Sequence, residues 1–110
     1  MNEPNRAVDY ILKHSPEYAK AKSQRVYLEE FRKTKKALLM KDALSNGIEA
    51  ANAQEREAYA HPEYQELLKG LAEAIETEER LKWNLEAARM RCDIWRSQEA
   101  TNRMTDKVTQ

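Results

Sequence analysis

Two histidines, His14 and His61, and one cysteine, Cys92, are the residues of this chain best suited to bind a metal or attack a substrate. A zinc or catalytic site would set them beside thiols or carboxylates at a fixed step. No His-x-x-x-His or Cys-x-x-Cys pattern occurs. Each histidine instead opens a similar phrase, His14-Ser15-Pro16-Glu17-Tyr18 and His61-Pro62-Glu63-Tyr64. Proline at the first helical position, followed by an acid near the positive end, marks a helix start. Capping and turn roles are therefore expected of both histidines. Cys92 lies on an apolar stripe, where cysteine packs as a small hydrophobe. As the single cysteine it forms no intrachain disulfide, which suits a reducing compartment. Glu73, Glu76, Glu78 and Glu79 lack the Glu-x-x-His pairs of a helical di-metal site, so a solvated acidic face is expected. No phosphate-binding glycine loop or nucleophile elbow is present. The residues read as a non-enzyme with no cofactor and no metal.

The elements that carry these residues follow from composition. Two glycines and three prolines in 110 residues cannot turn the many corners of a sandwich, barrel or doubly wound sheet. With 35% charged residues, the pattern is that of long helices or coiled coil. The C-terminal half holds the strongest signal. Tyr64, Leu67, Leu71, Ala74, Glu78, Leu81, Leu85, Ala88, Cys92 and Trp95 follow at alternating steps of three and four, a heptad seam interrupted only by Glu78. Glu78 is expected to answer an Arg or Lys across the helix interface, or to set register. Trp83, Ala87, Met90 and Ile94 form a second stripe on the opposite side, where water is unfavourable.

The reading is one all-α domain over residues 1–110, a long antiparallel, coiled-coil-like hairpin. A short helix spans 6–14 and places Ala7, Val8, Ile11 and Leu12 on one face. Long helices span 16–59 and 62–104. In the first of these, Tyr27, Phe31 and Leu38 supply the core face, then Leu44, Ile48, Ala51 and Ala58. That switch predicts a kink or short break near Gly47, with two separate helices as the alternative. The second stripe predicts a helical-bundle dimer joined through Trp83, Ala87, Met90 and Ile94.

Nineteen basic residues balance nineteen acidic ones, but their order is uneven. Residues 20–41 carry a local +6, 49–79 a local −7 and 80–107 a local +3. Folding at His61 brings the two basic stretches together as one positive end and leaves the glutamates at the turn. Arg25, Arg32, Lys33, Lys35, Lys36, Arg89 and Arg96, with Tyr27, Trp83 and Trp95 among them, then suit single-stranded DNA. No apolar run reaches membrane-spanning length, and residues 1–12 lack a signal-peptide core, so a cytoplasmic protein is expected.

Three segments carry a resemblance: Ala21-Lys22-Ser23-Gln24-Arg25-Val26-Tyr27-Leu28-Glu29-Glu30-Phe31-Arg32, Ala53-Gln54-Glu55-Arg56-Glu57-Ala58-Tyr59, and Trp95-Arg96-Ser97-Gln98-Glu99-Ala100. Over about Pro16 to Arg103 the chain resembles a family of small helical proteins of tailed bacteriophages and prophages, often encoded near recombination and replication genes. The resemblance implies the cytoplasm of a bacterial host and a phage accessory protein that binds DNA or a DNA-processing protein. It transfers no active-site residues. The rival reading is a protein-interaction module, an adaptor or inhibitor, that touches no nucleic acid.

Overall fold

The computed structural model describes the backbone of residues 3–109 and the side chains of 5–108. Three helices make up nearly all of it: α1 (Glu3–Ser45), α2 (Ala51–Ala60) and α3 (Pro62–Thr109). No strand occurs among the described residues. The all-α, hairpin-like character expected from composition is present.

The start expected at Pro16 is absent. α1 runs through Pro16 without a break, so residues 6–14 and the segment after them are one helix. Proline removes one N–H from the i→i−4 ladder and crowds the carbonyl four residues back. Pro16 is exposed, so water can take that carbonyl. Around it, His14 Nδ1 and Glu17 Oε2 lie 2.9 Å apart at i,i+3, and the Tyr10 and His14 rings are 4.2 Å apart. His14 is a half-buried seam residue, not a cap.

The break near Gly47 is a full helix end, so two helices replace the kinked one. Ile48 N–H donates to the Ala43 carbonyl and Gly47 N–H to that of Leu44, each at 3.0 Å. This pair of bonds is a Schellman motif, and its C′ residue must be left-handed. Gly47 has φ +93°, which only glycine adopts without strain. Gln54 Nε2 then donates to the carbonyls of Ile48 and Glu49, tying α2 to the connection. At the next corner the expectation holds. Pro62 opens α3, and His61 caps it, its Nδ1 accepting from Glu63 N–H at 3.1 Å.

The chain forms two compact units, one of residues 20–78 and one of 1–19 with 79–110. In the first, Lys35 pairs with Glu63 and Arg25 with Glu78, so α1 and α3 are antiparallel there. These pairs centre the reversal near residue 50 rather than at His61. Leu39, Ala58 and Tyr64 form its core, backed by Met40 and Leu68. Fully burying a side chain the size of Leu39 stabilises by roughly 1.5–3 kcal/mol. In the second unit, Ala7 of α1 and Ala88 of α3 are the buried residues among those described.

All ten members of the α3 seam, from Tyr64 to Trp95, are buried or half-buried, as the heptad spacing predicts. The α1 seam differs from expectation. It runs through Ala7, Ile11, His14, Tyr18, Ala21, Arg25, Leu28, Lys35 and Leu39, all buried or half-buried. Tyr27, Leu38, Val8 and Leu12, expected on the core faces, are 63%, 48%, 45% and 68% exposed.

Candidate functional site

The shifted reversal redistributes the charge. Residues 20–41 share a unit with the glutamates of 49–78, ten basic against eleven acidic residues, while 80–107 belongs to the other unit. Within the first unit, the Lys35–Glu63 and Arg25–Glu78 pairs set the basic stretch of α1 beside acidic residues of α3. Three of the seven residues expected to meet DNA are instead bound across helices. Arg25 places its guanidinium fork on Glu78, with Nε donating to one oxygen and Nη2 to the other at 3.2 Å. Its Nη1 donates to Glu29 at 3.0 Å. Glu78 is the one buried charge among the described residues, and Arg25 is the cation that the seam position demanded. The hydrogen bonds that Arg25 donates to Glu78 and then Glu29 hold it still more firmly protonated than usual.

Lys35 pairs with Glu63 at 2.8 Å and holds that carboxyl below its ordinary range. Lys36 reaches Glu55 at 3.2 Å and sits 4.7 Å over the Tyr59 ring. Tyr59, then Glu55, raise its pKa. Lys33, Arg89 and Arg96 each lie near an acid three residues away, Glu30 at 3.7 Å, Glu86 at 2.9 Å and Asp93 at 4.0 Å. Such exposed pairs contribute little and open readily. Arg32 alone of the seven makes no ion pair among the described residues. It is exposed and lines an open groove with Lys33, Lys36, Tyr59 and Tyr64.

The second stripe of α3 is wet, as its position predicts. Trp83, Met90 and Ile94 are 62%, 58% and 55% exposed, and Ala87 is exposed too. The same four-three step continues beyond it through Ser97, Thr101, Met104 and Val108, every one exposed. α3 thus carries two heptad seams, an inner one covered by its own chain and an outer one that the described residues leave open. The outer seam's second half was missed in the sequence because Ser97 and Thr101 interrupt its apolar character. Extending the spacing would have found it.

Two polar donors of the outer seam are already satisfied within α3. Trp83 Nε1–H donates to Glu79 Oε2 at 3.1 Å, and the Thr101 hydroxyl donates to the Ser97 carbonyl at 3.1 Å. Both donors are satisfied within α3 and need nothing from water. Cys92 is half-buried on the inner seam, where a small hydrophobe belongs. Among the described residues no His, Cys, Asp and Glu cluster is arranged to hold a metal, and no helix is long and apolar enough to cross a membrane. Comparison with protein-family models, with curated proteins and with solved structures returns no match.

Proposed function

We propose that the protein is a non-enzymatic interaction module that works through the outer seam of α3. The observation that carries this reading is the row of exposed side chains from Trp83 to Val108 at strict heptad spacing, apolar except at Ser97 and Thr101. An exposed, largely apolar face on a small helical protein marks a binding surface. The setting we propose, an accessory factor of a phage or prophage acting beside DNA-processing proteins in the bacterial cytoplasm, rests on the residue resemblance alone.

A second reading, direct contact with single-stranded DNA, draws on the Arg32 groove. There a free guanidinium stands beside Lys33, Lys36 and two tyrosines. Arg25, Lys35 and Lys36 are engaged across helices within the chain, which favours the protein-interaction reading. Capture from infected-cell lysate separates the two. Partner retention lost in Trp83→Glu and Ile94→Glu, but kept in Arg32→Glu with Lys33→Glu, supports the interaction module. Retention that follows the arginine-lysine pair, disappears with nuclease and weakens steeply with salt supports DNA.

A further inference from the structure

We propose that the outer seam of α3 pairs with the same seam of a second copy, antiparallel, about a twofold axis between residues 95 and 96. This inference uses the face assigned above and commits it to one occupant. In an antiparallel helix pair, residues equidistant from the axis on opposite chains face each other. Trp83 then meets the partner's Val108, Ala87 the partner's Met104, Met90 the partner's Thr101, and Ile94 the partner's Ser97. Each layer sets a large side chain against a small one, so the two helices keep an even separation and fill the space between them. Parallel pairing would stack Trp83 on its own copy, Ala87 on its own copy and Ser97 on its own copy. Wide layers would alternate with voids.

Charge agrees with the same register. Glu86 flanks the seam near one end and Lys107 near the other, so each Glu86 comes opposite the partner's Lys107, twice by symmetry. In the single chain Glu86 holds only the exposed Arg89. The surface area also fits. The chain exposes 8410 Å², whereas a compact folded monomer of 12.9 kDa exposes about 6,300 Å². The excess, on the order of 2,000 Å² per chain, exceeds the roughly 800 Å² that each partner contributes to a standard stable interface.

Two measurements test the pairing on the full chain. Sedimentation equilibrium at micromolar protein should give twice 12.9 kDa for the wild type and 12.9 kDa for Trp83→Glu and for Ile94→Glu. Circular dichroism checks that both variants, altered at exposed positions, keep their helix. A wild type that stays at 12.9 kDa throughout overturns the proposal. If lysate capture through the same face then persists, the interaction reading survives without the self-pairing. Orientation is read by mild oxidation in a Cys92→Ala background. Ala87→Cys with Met104→Cys should yield a covalent dimer, and Ala87→Cys alone should not. A crosslink from Ala87→Cys alone, or none from the double variant, overturns the antiparallel register.

Discussion

Arg25 and Glu78 meet on the inner seam because neither can be left alone there. Glu78 lies at a heptad position with about 7% of its surface exposed, and a carboxylate so placed requires a cation. Its neighbour's needs are unequal: Arg25 still holds Glu29 if Glu78 is lost, while Glu78 has no second cation if Arg25 is lost. Arg25→Ala is therefore expected to lower the melting temperature more than Glu78→Ala. Arg25→Met combined with Glu78→Leu should melt no lower than the wild type, since an apolar pair avoids desolvating two charges. Equal losses from the two single variants would contradict this account. The position of Glu78 and the type of its partner were legible from spacing. The identity of Arg25 was not, because a cation on a charged stretch looks the same whether it faces solvent or a seam.

Lys35 and Glu63 supply a pH test at the same scale. The lowered pKa of Glu63 means the folded state prefers its ionised form. The pair's contribution is then fully present above the ordinary carboxylate range and lost as pH falls through the lowered value. Lys35→Gln should flatten the fall in stability between neutral and acid pH measured by thermal melts. A variant with the wild-type slope would show that the pair contributes nothing.

At the scale of elements, α3 was readable and α1 was not, for one physical reason. The α3 seam is built of Leu, Ala and Tyr at three-four steps, which separates it cleanly from its charged neighbours. The α1 seam uses His14, Arg25 and Lys35 at the same steps, with Ala7 and Ala21, so its apolar contrast is weak. The larger Tyr27 and Leu38 then drew the expected core onto the wrong face. Pro16 misled in the same way, since a start signal and a tolerated interior proline share a sequence. Pro16→Ala should stabilise α1, by up to about 3 kcal/mol if the lost ladder bond is fully restored. Glycines make a paired test. Gly70 lies inside α3 with open space around it, so Gly70→Ala should stabilise by about 1 kcal/mol. Gly47→Ala should destabilise by about 1 kcal/mol or more, because φ +93° strains any Cβ-bearing residue. Chemical denaturation measures all three, and a stabilising Gly47→Ala would contradict the Schellman end.

At the scale of the whole molecule, the chain has more apolar surface than its own helices cover. No large side chain is fully buried among the described residues, yet Trp83, Met90, Ile94, Met104 and Val108 stand exposed in register on α3. The sequence showed this surplus at Trp83 to Ile94, because a second stripe opposite the first needs no knowledge of the turn. The charge layout did need it, because a reversal near residue 50 rather than at His61 sets the basic residues of 20–41 beside glutamates. Covering the outer seam is thus the central claim, and hydroxyl-radical footprinting across a protein dilution series tests it most directly. Labelling of Trp83, Met90 and Met104 should fall several-fold as concentration rises, while the exposed Tyr27 on α1 stays constant. In Trp83→Glu, Met90 and Met104 should label at the dilute level throughout. Wild-type labelling of Trp83, Met90 and Met104 that stays at the dilute level at every concentration would contradict the claim.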